Sequence, residues 1–197
     1  MKKKLVSIFL VLILAFGIGC FLYINDYYHA NEDAIAVLQQ GALDTSEVIV
    51  SEKDGLMVFL PRGGTDIGMI FYPGGKVEYS AYAPLLYQCA RQGITCVLVE
   101  MPGNLAVLDM NAADGLAGQY PQIDTWMIGG HSLGGFAAST YLEKAHTDYE
   151  GLILLAAYTQ SDLTATGLDA LTIYGSEDGV LNMDNYAKGL PLLPDGY

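Results

Sequence analysis

One serine lies between glycines at a spacing that could support nucleophilic catalysis. Gly130, Ser132 and Gly134 form a G-x-S-x-G pattern between the apolar run 126–128 and the alanine-rich segment 133–145. Where a chain reverses sharply from a strand into a helix, glycines beside the serine relieve crowding. The turn would set the hydroxyl at a helix N-terminus, whose dipole favours developing negative charge. We therefore predict a nucleophile at Ser132; the alternative is a glycine-rich turn with an incidental serine.

A second glycine-rich loop could donate backbone hydrogen bonds to the same reaction. Pro73-Gly74-Gly75-Lys76 follows the apolar run 67–72, and glycine lets a backbone approach a substrate closely. A simple turn and a phosphate-binding loop are the alternatives. A Walker A match fails, because Ile70 occupies its first glycine position and Val77 follows the lysine in place of Ser or Thr.

The elements that must position these loops alternate along the chain. Apolar runs predict strands at 47–50, 56–60, 67–72, 94–99, 126–128, 152–156 and 171–174, and helical spacing predicts helices at 83–91, 105–113 and 133–145. Asp54-Gly55 predicts a hairpin turn between the first two strands. The alternation predicts an α/β fold: a mostly parallel sheet with helices on both faces, in which only the two leading strands are antiparallel.

These motifs resemble those of the α/β-hydrolase superfamily. From about residue 47 onward, the chain is similar to small bacterial serine hydrolases that pair YPGGKVE (here 72–78) with GGHSLGG (here 129–135). The resemblance implies the α/β-hydrolase fold and a serine hydrolase that transfers the acyl group of an ester or related carbonyl to water, without a cofactor. Family cap domains are usually inserted where this chain has only 158–168. That implies no cap and an open site for a small or surface-exposed ester.

The resemblance also assigns roles to individual residues. It implies an oxyanion hole made by the N–H of Leu133 together with that of Gly75 or Lys76. It places the acid of a catalytic triad in the loop after strand 171–174, where we choose Asp178. Asp162 is the alternative, because some relatives carry the acid after the preceding strand. An ordinary surface turn would also account for the residues around Asp178.

A catalytic histidine is not identifiable in this sequence. The family order is Ser, acid, His, and no histidine follows Asp178. His29 precedes the predicted domain, and His131 adjoins Ser132 in the turn. His146 ends the predicted helix, about 20 Å from the hydroxyl at 1.5 Å per residue. We therefore expect a chain that is C-terminally incomplete, lacking the family's last strand and histidine loop, or degenerate. The competing class is a catalytically inactive surface module or a truncated fragment.

The N-terminal run 5–24 is uncharged and almost wholly apolar, which suits a membrane-spanning helix. Lysines at 2–4 precede it and predict a cytoplasmic N-terminus, with the domain on the extracytoplasmic side of the cell membrane. A cleaved signal peptide is the alternative, and Gly19-Cys20 hints at a lipoprotein cleavage site. The predicted organisation is an anchor (1–25), a juxtamembrane spacer (26–45) and a hydrolase domain (46–197).

Composition narrows the remaining classes. Nine basic and 22 acidic residues give a formal net charge of −13, which repels phosphate backbones and disfavours nucleic acid as a partner. Cys20, Cys89 and Cys96 form no CxxC or Cys/His cluster, so a zinc site is not supported. We expect Cys89 and Cys96 to be buried thiols, and a disulfide between them remains an open alternative.

Overall fold

A seven-stranded sheet forms the centre of the domain in the computed structural model, which describes residues 2–43 and 45–195. Its strands are β1 (Val48–Lys53), β2 (Leu56–Pro61), β3 (Ile67–Tyr72), β4 (Thr95–Val99), β5 (Thr125–His131), β6 (Gly151–Leu155) and β7 (Asp169–Ile173). They lie in the order β1-β2-β4-β3-β5-β6-β7. β2 pairs antiparallel with β1 and β4, and the other neighbours pair parallel. The predicted, mostly parallel α/β architecture is confirmed.

Helices cover both faces of this sheet. The helices are α1 (Lys2–Asn25), α2 (Glu32–Leu43), α3 (Ala83–Arg91), α4 (Leu133–Ala145) and α5 (Met183–Gly189). Of these, α1 does not cover the sheet, because its apolar side chains are exposed. Alternate side chains of β3 point to opposite faces, as strand geometry requires. Phe71 packs into the core that contains Leu86 of α3, whereas Ile70 packs into the core that contains Ala137 of α4. Such two-sided burial explains why β3 is apolar along nearly its whole length.

The predicted helix 105–113 does not form. Two short 3-10 helices, Pro102–Asn104 and Ala106–Leu108, take part of its place, and turns follow them. The buried phenol of Tyr72 gives a reason: it donates to the Met110 carbonyl (3.0 Å) and accepts the Ala113 N–H (2.8 Å). Because these backbone groups bond to a side chain of β3, tertiary contacts override the helical spacing.

The segment 26–45, predicted to be a spacer, instead packs on the domain. Asn31 accepts the N–H of Ala34 through its side chain (3.0 Å) at the start of α2. Ala34 is fully buried, and Leu38 packs against the core beside α3 and β1. The folded unit therefore begins before residue 46. Met1, Asp44, Gly196 and Tyr197 belong to the predicted anchor, spacer and domain but lie outside the described residues.

Helix α1 has the length and apolarity needed to cross a membrane. In the described part of the chain it alone passes that test, over Lys4–Asn25 with a mean hydropathy of 2.9. Its apolar side chains are exposed along the run. The helix ends where the Asp26 N–H donates to the Leu22 carbonyl (3.1 Å) and the Asn25 side chain donates to the Phe21 carbonyl (2.8 Å).

Candidate active site

Ser132 lies in a sharp turn between β5 and α4, as the glycine spacing predicts. Its φ of 51° and ψ of −118° are rare for a residue with a side chain. The Ser132 N–H donates to the Leu155 carbonyl of β6 (2.9 Å), and its carbonyl accepts the Phe136 N–H of α4 (3.1 Å). These two bonds hold the strained residue at the carboxyl end of β5, where the loops of a parallel sheet meet.

The glycines around Ser132 let three backbone segments come together. A Cβ at Gly130 would lie 2.6 Å from the Tyr72 carbonyl oxygen and 2.5 Å from the carbonyl carbon of Gly134. A Cβ at Gly134 would collide with the carbonyl oxygens of Tyr72 and Pro73. The ends of β3 and β5 and the first turn of α4 therefore approach more closely than any side chain permits.

Gly75 brings the loop after β3 against the first residue of α4. A Cβ at Gly75 would lie 2.9 Å from Cδ2 of Leu133, so the two residues are in contact. Leu133 opens the helix, and the N–H groups of a first helical turn have no intrahelical partner. Among residues 2–43 and 45–195, neither the Gly75 N–H nor the Leu133 N–H has a hydrogen-bond acceptor. Two free donors beside a serine are what an oxyanion hole requires.

Lys76, the other expected donor, is not available in this arrangement. Its N–H donates to the Asn104 carbonyl (2.7 Å), and the residue has a φ of 57°. Its ammonium forms an ion pair with Asp26 (2.8 Å) and lies 4.6 Å from the ring centroid of Tyr23. Because the Lys76 N–H already donates to the Asn104 carbonyl, the expected oxyanion-hole donors are the N–H groups of Gly75 and Leu133.

His131, the residue before Ser132, is held by Tyr82. The distance from His131 Nδ1 to the Tyr82 phenol is 2.8 Å, and that phenol accepts the Gly74 N–H at 2.9 Å. Burial lowers the pKa of His131, opposed by the nearby carboxylate of Asp178. The contact ties the turn that contains Ser132 to the loop after β3. No motif in the sequence marks Tyr82 as part of this site.

Asp178 lies in the loop after β7 and faces the same edge of the sheet. Its carboxylate accepts the N–H groups of Leu181 (3.0 Å) and Val180 (2.8 Å), and these bonds lower its pKa. The charge of His131 lowers it further. Asp178 is therefore within electrostatic range of the residue that precedes Ser132.

Asp162, the alternative acid, is engaged elsewhere. It accepts both the N–H (3.1 Å) and the hydroxyl (2.7 Å) of Thr164, and these bonds lower its pKa. No histidine contributes to that shift. The arrangement thus brings Asp178, and not Asp162, toward the turn that contains Ser132.

The other two of the chain's three histidines are placed differently. His29 pairs with Glu78 (3.3 Å) and its ring is largely exposed. His146 follows α4 at the end away from Ser132, about 20 Å along the helix at 1.5 Å per residue. His131 alone adjoins the serine, and its Nδ1 is bound to Tyr82.

The two cysteines of the domain form a pair apart from these loops. Cys96 of β4 is buried, Cys89 of α3 is half-buried, and both are free thiols. A hydrogen bond from Cys96 lowers the pKa of the Cys89 thiol to about 7, against the effect of burial. Among the described residues, no three His, Cys, Asp or Glu side chains are grouped so that they could hold a metal ion.

Comparison with known proteins places this arrangement in a family. A family model described as "Alpha/beta hydrolase family" matches residues 68–196, which include both glycine-rich loops and Asp178. No curated protein sequence matches significantly. The crystal structure of TT1662 from Thermus thermophilus is similar in fold, with a TM-score of 0.55 and 14% identity over 76% of this chain and 86% of that chain. The family match spans more than half of the sequence, and the chain therefore belongs to the alpha/beta hydrolase family.

Proposed function

We propose that the protein is a membrane-anchored serine hydrolase that transfers the acyl group of an ester, or of a related carbonyl compound, to water through Ser132. Membership of the family supports hydrolytic chemistry in general. The observation that carries the finer proposal is the φ of 51° at Ser132, next to Gly75 and Leu133. Strained residues persist where their surroundings over-determine them, and they cluster at active sites.

In the proposed reaction, the Ser132 hydroxyl attacks the carbonyl carbon of the ester. The oxygen that becomes negative accepts hydrogen bonds from the N–H groups of Gly75 and Leu133, at the positive end of the α4 dipole. Losing one such donor typically lowers kcat about 10²- to 10³-fold. The tetrahedral intermediate expels the alcohol and leaves acyl-Ser132, which water then hydrolyses.

Proton transfer needs a base, and Asp178 is the residue proposed to orient it. A serine hydroxyl near its free pKa is a weak nucleophile without an adjacent base. Tyr82 holds His131, and His29 and His146 lie at Glu78 and at the far end of α4. We therefore expect the 197-residue chain by itself to hydrolyse esters several powers of ten more slowly than a complete triad would.

We place the domain on the extracytoplasmic side, with α1 retained as an uncleaved anchor. Three lysines precede the apolar run, which favours a cytoplasmic N-terminus. The end of α1 also contacts the domain, because Asp26 pairs with Lys76 at 2.8 Å. Cleavage near Cys20 would remove most of the apolar run. Tyr23 and Asp26, which contact Lys76, would then no longer be attached to a membrane-spanning helix.

Active-site labelling of the full-length chain in detergent micelles tests the role of Ser132. Because Ser132 lacks an adjacent base, a fluorophosphonate probe should react with it slowly. After a long incubation at high probe concentration, mass spectrometry should locate an adduct on Ser132, and Ser132→Ala should abolish it. Ser139→Ala is the matched control, since Ser139 is buried in the helix that follows and its hydroxyl donates to the Phe136 carbonyl (2.8 Å). Equal labelling of parent and Ser132→Ala would refute the proposed nucleophile.

The rate of ester hydrolysis tests the expectation that no histidine of the 197 residues acts as a base for Ser132. With a short-chain nitrophenyl ester, the 197-residue chain should be slow. A form carrying any residues that the gene encodes after position 197 provides the comparison. Fast turnover by the 197-residue chain, abolished by Ser132→Ala, would show that a base is present within those 197 residues.

A further inference from the structure

The end of helix α1 is bound to the loop that carries the proposed oxyanion donor. Lys76, next to Gly75, forms an ion pair with Asp26 at 2.8 Å. The same ammonium lies 4.6 Å from the ring centroid of Tyr23, in the last turns of α1. The Lys76 side chain is only 26% exposed although it is charged. The helix therefore covers this lysine and holds it in place.

The residues after α1 pair with the same loop through their backbone. The Tyr28 N–H donates to the Lys76 carbonyl, and the Glu78 N–H donates to the Tyr28 carbonyl, both at 2.8 Å. They form a parallel bridge between Tyr28 and Val77. The Glu78 carboxylate also accepts the N–H of Ala30 (3.1 Å). Because both the N–H and the carbonyl of Tyr28 are paired, the direction in which the chain leaves α1 is fixed.

The loop after β4, which lies at the same carboxyl edge of the sheet as Gly75 and Ser132, also contacts α1. A Cβ at Gly103 would lie 3.1 Å from Cγ2 of Ile24, so the apolar end of the helix packs on this glycine. The neighbouring Asn104 is the residue whose carbonyl accepts the Lys76 N–H (2.7 Å). The helix end therefore meets two loops at the carboxyl edge of the sheet.

Helix length sets the height of these contacts relative to a bilayer. The twenty residues 5–24 span about 30 Å at 1.5 Å per residue, which is the thickness of the hydrocarbon core. The membrane–water boundary then falls at the end of α1, near Asp26. Tyr23, Tyr27 and Tyr28 cluster there, as tyrosines do at bilayer interfaces. The loop containing Gly75 and Lys76 is thus held at the level of the lipid headgroups.

We infer that the carboxyl edge of the sheet, which carries Ser132 and Gly75, faces the membrane and that the substrate is a carboxylic ester carried by a lipid of that membrane. The inference rests on the proposed function and names its substrate class. Charge narrows the class further: three of the nine basic residues lie before α1's apolar run, so the remainder of the chain is even more acidic than the net −13. Such a domain is repelled by anionic headgroups, which favours a zwitterionic or uncharged lipid ester.

A position measurement that needs no catalysis tests the placement. The full-length chain, with Cys20 and Cys89 replaced by serine, carries a nitrobenzoxadiazole label at Ser132→Cys in phosphatidylcholine vesicles. The reference label is at Gln122→Cys, an exposed position that precedes β5 at the opposite edge of the sheet. Phosphatidylcholine with a headgroup-level nitroxide should quench most of the emission at position 132 and little at position 122.

Loosening the attachment should remove that difference. Eight Gly and Ser residues inserted between Asp26 and Tyr27 add a flexible linker of about 16 Å r.m.s. length, so quenching at position 132 should fall to the level at position 122. Asp26→Asn, which weakens the pair with Lys76, should shift quenching in the same direction. Its matched control is Glu47→Gln, which removes the exposed pair with Arg91 (2.7 Å) away from α1 and should change nothing.

A labelling comparison then tests the substrate class. A long-chain alkyl fluorophosphonate dissolved in the vesicles and a water-soluble fluorophosphonate are compared on Ser132. The insertion should slow labelling by the lipid-borne probe about tenfold, through lost effective concentration, and leave the soluble probe unaffected.

Two failures can be told apart. Equal quenching at positions 132 and 122, with Ser132 still labelled by the soluble probe, would overturn the membrane-facing placement and leave the serine hydrolase standing. Quenching as expected, with neither probe reacting at Ser132 even after a long incubation at high probe concentration, would overturn the proposed function and the lipid ester with it.

Discussion

Gly130→Ala is the substitution whose effect the structure fixes most closely. The added methyl would lie 2.5 Å from the Gly134 carbonyl carbon, 2.6 Å from the Tyr72 carbonyl oxygen and 2.7 Å from the Gly135 nitrogen. All three obstacles are backbone atoms, so no rotamer change relieves them and α4 must move away from β3. Overpacking of this kind typically lowers the free energy of unfolding by about 1–3 kcal/mol. The upper end of that range applies here, because the atoms around Gly130 are backbone atoms that move little. Replacing glycine also stiffens the unfolded chain and offsets about 0.4–1 kcal/mol.

The expected net loss in the free energy of unfolding is therefore about 2 kcal/mol, or about 4–8 °C in Tm for a domain of this size. Trp126, the single tryptophan, is buried in β5 and reports unfolding by its fluorescence. Gly118→Ala is the control, because among the described residues no atom outside the local backbone lies within 4 Å of the place its added methyl would take. It should match or slightly exceed the parent in stability. Labelling of Ser132 should also fall, since a displacement of about 1 Å at a reacting group can cost about 10²-fold in rate. A Gly130→Ala protein as stable as Gly118→Ala would refute the packing argument.

Three further outcomes are expected. The N–H groups of Leu181 and Val180 hold the pKa of Asp178 below its usual value in the folded state, so its contribution to stability is present above the unfolded-state pKa and is lost as pH falls through the lowered one. Thermal unfolding should accordingly separate parent from Asp178→Asn at neutral pH, and the gap should close in strong acid; a gap independent of pH would contradict this. Alkylation of Cys89 by iodoacetamide, followed by peptide mass spectrometry, should rise with a midpoint near its pKa of about 7. Cys96→Ala, which removes the hydrogen-bond donor, should move the midpoint upward; an unchanged midpoint would show that Cys96 is not the cause. Protease added to intact cells should digest the domain but not the N-terminal tail, and a fully protected domain would reverse the proposed orientation.

Local signals in the sequence sufficed for the elements with clear boundaries. Helix α3 occupies the predicted residues, with Pro84 in its first turn and Gly93 just past its end at a φ of 91°. The hairpin turn at Asp54-Gly55 has positive φ at both residues, as that dipeptide favours. Strand β5 runs further than the apolar pattern predicted, because Gly129 and Gly130 pair with both β3 and β6.

The contacts that organise the site could not be read in the same way. Tyr82 meets His131 across 49 positions, and Tyr28 pairs beside Val77 across a similar gap. Neither pair has a periodicity or a short motif, since each depends on how distant segments are brought together by the sheet. The choice between Gly75 and Lys76 likewise required knowing that the Asn104 carbonyl takes the Lys76 amide proton.

The Tyr72 phenol has a bearing on how this protein could be redesigned. It fixes the loop through Met110 and Ala113 from inside the core, so the shape of that loop is encoded 38 and 41 positions upstream of the residues that adopt it. Surface residues of the loop could therefore be substituted to bind new ligands, while the Tyr72 hydrogen bonds that set the backbone path of the loop stay buried. Grafted sequences would keep the backbone path as long as they present one carbonyl and one amide to the same oxygen.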